Sequence, residues 1–578
     1  MRKVVGENFT ETNHDEEQPA SQASDITPLR AIILCTAVFI LCIAISIAPL
    51  SRLAGADYFR GVSISGFLTT IGAWLPSDLH LASDAHASSM STNTFIFMLI
   101  VALAFLCYGI CGWFIYHRMS QSNLPSVMRL VWIGASIAGL LFIFCPAMLS
   151  HDAFVYAGYG RLLAAHHVNP YFAIPAAYPN DPLTPLDDWR NAPAAYGPLW
   201  ILVCSLVALP AGESPLAYIL LYRALGLGAH LLNIVLVTAI LRSQKCSPQT
   251  IALGTLIYAW NPLALEESAL GGHNDTLLVT FMLLGILLWV RLKEERTLSN
   301  LRLRDYLPSL IMFSLALLVK FTAAPLLALF LVLLARLSLS VTQAESTAKE
   351  KPVIFHWQPA LIIFLTGGLV SLLIILLFYL PFWLGHGINA IIYSFTSPPS
   401  ANSAYGSILA AIQAWIRVHG LPTQSWARTA LIILSQQRTW SLINLVVVLA
   451  VIVCGITAIW RSPGTRTLVM VTLATLGALL IVTPWFFPWY VVWLVGLAAI
   501  SLPFVHSRMG HALVAAAIAF SASAFFIYFF FHDLPPIGGW IGLTFLTTIG
   551  PPLVVLLIFA SKRHSEQQEK NSSEESRR

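Results

Sequence analysis

Ser150, His151 and Asp152 open a stretch in which Tyr156, Tyr159, Gly160 and Arg161 follow at short intervals. Ser150 is placed to cap a helix, which puts Asp152 in the first turn, where the helix dipole favours an ionised carboxylate. Tyr156 then lies one turn further along the same side. An ionised carboxylate beside aromatic rings has the means to take a proton from an incoming hydroxyl, the task of a general base in glycosyl transfer. An aspartate that only caps a helix at a solvated loop leaves the same pattern, and these residues alone leave both readings open. Asn169-Pro170-Tyr171 follows, then a Pro-rich loop and Tyr196-Gly197-Pro198-Leu199-Trp200.

A second polar group gathers around a predicted corner, with Glu266, Glu267, His273, Asn274 and Asp275 separated by the glycines Gly271 and Gly272, which permit a close turn. These side chains have the chemistry to hydrogen-bond sugar hydroxyls or a phosphate, and Asn274 and Asp275 equally have the chemistry of helix caps. A divalent ion is the weaker option, because no D-x-D pair or His-x-x-x-His spacing is present. No cofactor is expected. Lys320, at the end of an apolar run, could meet a phosphate as a point charge or snorkel to the interface. Arg223, a third of the way into its run, could meet the same phosphate or pair inside a helix bundle. Trp485, Trp489, Tyr490 and Trp493 fit an aromatic belt, or the flanks of an isoprenoid chain or sugar ring.

The elements that must hold these residues follow from composition. The chain has 578 residues, of which only 10% are charged and 57% hydrophobic, with mean hydropathy +0.75. A soluble chain of this length could not cover its surface with so few polar groups, so the expected fold is an all-α, polytopic membrane domain. A bilayer core requires about 20 apolar residues per helix. Runs near 31–49, 94–116, 130–148, 216–241, 250–266, 275–292, 306–320, 322–336, 358–384, 441–460, 467–484, 488–504, 511–530 and 540–560 give about 14 spans. Clusters such as Arg118 with Arg129, Arg242 with Lys245, and Arg291 to Arg304 are expected in the cytoplasm. They alternate correctly only when residues 198–212 dip into the membrane or lie on its outer face. That arrangement divides the chain into a polar cytoplasmic tail (1–29), a transmembrane domain (30–560) and a charged cytoplasmic tail (561–578), with 149–215 as an outer loop carrying surface helices. Both termini are then cytoplasmic and the polar groups above collect on the outer side of the cell membrane. The eight cysteines form no legible disulfide or zinc pattern, and nothing implies nucleic acid as a partner.

Taken in order, Asp152 to Arg161, Asn169-Pro170-Tyr171, Tyr196 to Trp200, Trp260-Asn261-Pro262-Leu263 with Glu266, and Gly271-Gly272-His273-Asn274-Asp275 resemble the bacterial polyprenol-phosphomannose-dependent α-mannosyltransferases of the GT-C class. The resemblance covers about residues 130–340 and, more weakly, Pro484 to Tyr490. It implies a GT-C-like fold with a catalytic acidic residue in the first outer loop of the conserved module, the position of Asp152. Candidate substrate contacts are Tyr156, Arg161, Asn169, Tyr171, Tyr196, Arg223, Glu266, His273, Asn274, Asp275, Lys320, Trp485, Trp489 and Tyr490. The implied partners are a polyprenyl-phosphate sugar donor, most plausibly carrying mannose, and an envelope glycan or glycolipid acceptor. A multispan transporter or flippase of lipid-linked sugars is the alternative, which would spread polar residues through the membrane midplane in matching halves.

Overall fold

The computed structural model describes residues 20–58, 87–145, 148–295, 302–347, 357–394, 404–483, 486–505, 507–528 and 546–559. Helices connected by turns and short 3-10 segments make up the fold, and no strand occurs among the described residues. Among the described residues ten helices are long and apolar enough to cross a bilayer, and they correspond one to one with ten of the expected spans. The chain is a multi-pass membrane protein.

Three of the other four expected spans differ for physical reasons. The run 250–266 is two helices, Pro248–Ala259 and Pro262–Ala269, broken at Trp260 and Asn261. A residue before proline is pushed out of helical geometry, and Asn261 accordingly turns extended, with its side chain accepting a hydrogen bond from Ala264 N at 3.0 Å. Leu303–Val319 has 17 residues and stops at Lys320, whose backbone is extended. Residues 488–504 consist of Val492–Ser501 between two 3-10 turns. Of 540–560, the residues up to 545 lie outside the described part, as do residues 59–86.

Residues 198–212 form the helix Pro198–Ala211. Its 14 residues extend about 21 Å at 1.5 Å per residue, short of a core about 30 Å thick. One face, with Trp200, Ile201 and Cys204, is buried against the helix Asp152–Ala164, while Leu206 and Leu209 are exposed.

Burial separates the bundle into two kinds of helix. Asp275–Glu295 packs against Pro215–Ser243, Leu303–Val319 and Val492–Ser501, and is buried over 67% of its apolar window. Gln358–Trp383 and Gln437–Arg461 are buried over only 11% and present rows of exposed leucine, isoleucine and valine. In lipid such rows need no protein cover.

Candidate active site

Asp152 is the first residue of the helix Asp152–Ala164. The preceding position is His151, whose side chain makes no capping bond; Ser150 Oγ instead accepts from Asp152 N at 3.1 Å. The carboxylate sits among aromatic rings at the side of a cleft of about 250 Å³ lined also by Trp189, Tyr196, Lys320, Trp489, Tyr490 and Trp493. Its described protein contacts all fall on Oδ2: the Tyr156 and Tyr196 hydroxyls donate at 3.2 and 3.4 Å, and His273 Nδ1 lies 3.6 Å away. Among the described residues none bonds Oδ1.

Behind Asp152 the corner 266–275 folds back tightly. Gly272 adopts φ +63°, the left-handed region that glycine enters without strain. The turn delivers His273 into full burial, with its ring stacked on Trp489 at 3.9 Å. His273 Nε2 lies 3.2 Å from Glu267 Oε2, and Glu267 Oε1 accepts from the Tyr528 hydroxyl at 2.7 Å. A line of groups therefore runs from the cleft inward: Asp152, His273, Glu267, Tyr528.

The charges in this line settle one another. Burial lowers the affinity of His273 for a proton, but the carboxylates of Asp152 and Glu267 close to its two ring nitrogens outweigh it and raise its pKa to about 9. Burial raises the Asp152 carboxyl, and the nearby His273, helped by Lys320 and Tyr156, brings it below its ordinary value. At neutral pH Asp152 is ionised and His273 is a cation.

Asp275 begins the next helix and is fully buried. Lys320 Nζ reaches its two oxygens at 2.9 and 3.1 Å, and Trp493 Nε1 donates to Oδ1 at 2.8 Å. Lys320 Nζ also lies 3.9 Å from the centre of the Tyr490 ring, a cation–π contact. Asp275 is thus engaged in ion pairing, and Lys320, which lines the cleft, brings a cation to it. Neither oxygen nor nitrogen of the buried Asn274 side chain has a hydrogen-bond partner, so Asn274 does not cap this helix through its side chain. Glu266, also buried, has an Oε1 without a partner. Among the described residues no three His, Cys, Asp or Glu side chains are arranged to hold a metal.

The structure gives four of the expected substrate contacts other work. Arg161 pairs with Asp181 at 2.6 Å and bonds the Gly212 carbonyl, fastening the loop to the end of the short helix. Asn169 bonds the Phe382 carbonyl and receives Tyr171 N, and the Tyr171 hydroxyl donates to the Tyr196 carbonyl at 2.7 Å. Arg223, wholly inside the bundle, donates to the carbonyls of Leu270, Ile143 and Cys145. None of the four lines the cleft. Trp485 lies outside the described residues.

Sequence reasoning passed over Trp189, Tyr528 and Asp187. Asp187 Oδ1 accepts from Trp189 N at 2.7 Å and so turns the Trp189 loop toward the cleft. Burial, reinforced by Asp188 and Asp152 against the Trp189 hydrogen bond, pushes the Asp187 carboxyl up to about 7. Asp-x-Trp in a Pro-rich loop was the available signal for that turn; Tyr528, 261 residues from Glu267, offered none.

Comparison with known proteins bears on the same residues. Residues 59–336 match the model of a family described as "Alpha-(1->6)-mannopyranosyltransferase, N-terminal domain". An alpha-(1->6)-mannopyranosyltransferase A from Mycobacterium tuberculosis is 33% identical over 147 residues, 25% of this chain and 27% of that protein. The protein of the same name from Corynebacterium glutamicum is 26% identical over 147 residues, 25% of this chain and 29% of that one. The chain thus aligns with under a third of the length of either relative. No solved structure matches it significantly. Over residues 59–336, which hold Asp152, Glu267, His273, Asp275 and Lys320, the chain is similar to the alpha-(1->6)-mannopyranosyltransferase family.

Proposed function

We propose that this protein is a membrane glycosyltransferase that moves a hexose, mannose by the family likeness, from a polyprenyl-phosphate donor to a hydroxyl of an envelope glycan or glycolipid. The observation that carries the reading is the state of Asp152: ionised, held by three neighbours on one oxygen, and open to a cleft on the other. In the proposed reaction Asp152 Oδ1 takes the proton of the acceptor hydroxyl as that oxygen forms its bond to the anomeric carbon. The bond from that carbon to the phosphate oxygen breaks, its electrons stay on the phosphate, and the configuration inverts. The leaving phosphate gains negative charge, which a fixed cation in a site of low dielectric stabilises more than water would. Lys320 lines the cleft and is the cation proposed for this, ahead of Arg223, whose guanidinium is spent on backbone carbonyls.

The proposed location is the outer face of the cell membrane, with both termini cytoplasmic, which follows from the distribution of lysine and arginine between the spans. The aromatic residues Trp489 and Tyr490 supply a face for a sugar ring or the first isoprene units. A flippase of lipid-linked sugars is not favoured, because the family likeness is to mannosyltransferases and Asp152, His273, Asp275 and Lys320 gather around one cleft.

Membranes containing the protein, supplied with polyprenyl-phosphate-linked radiolabelled mannose and an envelope glycolipid fraction, test the reading. Labelled product should form with wild type and fall by about two to four orders of magnitude in Asp152→Asn. Movement of label across the membrane with no new glycosidic bond would refute the enzyme and support the flippase.

A further inference from the structure

From residue 351 to residue 532 the sequence contains not one Asp or Glu. Within that stretch the helices Ala404–His419 and Ser425–Leu434 form a hairpin between the spans Gln358–Trp383 and Gln437–Arg461. The hairpin and the start of the following span carry Arg417, Arg428 and Arg438, all exposed. No carboxylate in the stretch is available to pair with them.

We propose that this hairpin is a docking surface for the anionic headgroups of bilayer phospholipids, set beside the cleft. Charge is the first argument, because three exposed arginines in a stretch of sequence without any acid favour an anion, and the planar guanidinium matches phosphate oxygens two at a time. The second is the apolar face that accompanies them. Trp415 and Val418 share one side of the first helix and Trp426 and Ile433 one side of the second, with Val418 76% and Trp426 73% exposed. Arg417 lies on the opposite side of its helix from Trp415. A basic helix with such a face lies in the headgroup region with its apolar side toward the acyl chains. A free phosphate would engage the arginines and leave that face uncovered; a phospholipid covers both.

Position is the third argument. The hairpin starts and ends at spans whose sides are apolar and exposed, so it belongs to the same membrane boundary. It is closed on itself by Gln413 Nε2 donating to the Ser435 carbonyl at 3.0 Å, and joined to the next span by Trp440 Nε1 donating to the Leu434 carbonyl at 2.8 Å. Its first helix packs against Thr465–Val482, whose Leu479 and Leu480 line the cleft. A headgroup on the hairpin therefore sits next to the site at the same end of the bundle. On the proposed outer face, three arginines run against the usual bias of basic residues toward the cytoplasm, and lipid binding gives them a reason. The inference itself stands apart from mannosyl transfer.

The test uses the full chain in nanodiscs of phosphatidylcholine with a minor share of phosphatidylglycerol, followed by native mass spectrometry of the lipid kept after release into detergent. Wild type is expected to keep phosphatidylglycerol in excess. Each arginine near an anionic surface contributes about fivefold in affinity at low salt, so R417Q/R428Q/R438Q should lower that retention by at least about tenfold. The charge-keeping R417K/R428K/R438K should retain most of it. Equal retention in the triple glutamine variant overturns the proposal. Should that variant fail to fold, raising salt on wild type decides: retention must fall with ionic strength, and retention indifferent to salt overturns it. Displacement by inorganic phosphate as readily as by phosphatidylglycerol also overturns it, by making the hairpin an anion site rather than a lipid site.

Discussion

Two aspartates begin helices near one cleft, Asp152 lining it and Asp275 buried behind its Lys320, and the fold surrounds them differently. Asp152 keeps one oxygen free of described protein contacts and faces the cleft; its partners are two phenols and a histidine on the other oxygen. Asp275 has no exposed surface, and both of its oxygens are taken by Lys320 and Trp493. What separates the carboxylate proposed as the base from the one held in an ion pair is how much of its hydrogen-bonding capacity the fold has already consumed. Position at a helix start is common to both and decides nothing.

The sharpest way to break that contrast is to neutralise each in turn. Asp152→Asn should leave the protein folded while transfer falls by about two to four orders of magnitude; a variant with near-normal transfer would remove Asp152 from the chemistry. Asp275→Asn should act first on stability, because Lys320 is left as a buried unpaired charge, at a cost of about 3–5 kcal/mol. Thermal unfolding in detergent reads this directly, and an Asp275→Asn protein as stable as wild type but inactive would reverse the two roles.

Lys320→Met sharpens the comparison from the other partner. It removes the cation from the cleft and leaves Asp275 without its ion pair, so both folding and catalytic efficiency should suffer. The double variant Lys320→Met with Asp275→Asn should recover most of the stability, since no lone charge remains buried. Its catalytic efficiency with the lipid donor should stay low. Full recovery of activity in the double variant would show that the donor phosphate needs no cation at this position.

His273→Gln probes the partner that Asp152 has in place of a lysine. Without the imidazolium, burial of Asp152 is less opposed and its pKa rises, so the acid limb of the rate profile should move to higher pH; an unmoved limb would deny His273 that influence. Wild-type stability carries the complementary sign. A histidine raised to about 9 in the fold and near 6.5 when unfolded contributes fully below 6.5, and that contribution is lost as pH rises through 9. The decline between those values should be absent in His273→Gln. The smallest effect is expected for Trp489→Leu, which removes the ring stacked on His273; such contacts contribute about 0.5–1.5 kcal/mol, measurable as a modest drop in melting temperature with the acid limb nearly in place.

Much of the bundle was legible because hydropathy over 18 or more residues depends on little besides composition. The break at Asn261-Pro262 was written in the chain too, yet an apolar window averages across a proline and reads one helix where there are two. At the site, Asp152, Tyr156, Tyr196, the 266–275 corner and Lys320 were found because each lies in a short polar motif amid apolar sequence. Their division of labour was hidden. Nothing local distinguishes Asp275, saturated by a lysine 45 residues away, from Asp152, and nothing near Arg161 or Arg223 announces that the first is spent on Asp181 and the Gly212 carbonyl and the second on backbone carbonyls. Those outcomes depend on which distant backbone arrives at the same place.

One junction has a consequence for how this site varies. At the end of the Trp189 loop, Gly197 N donates to the Val319 carbonyl at 3.1 Å, one residue before Lys320. A Cβ on residue 197 would collide with the Leu318 carbonyl oxygen. Main chain meets main chain there with no side chain between them, so this junction works as a fixed gauge between the segment of Tyr196 and the segment of Lys320. Diversifying the lining at Trp189, Thr322 or Leu480 would then change which ligands fit without changing the spacing between those two segments. A bulkier residue at 197 would do the reverse, resetting the gauge while every lining side chain stayed the same.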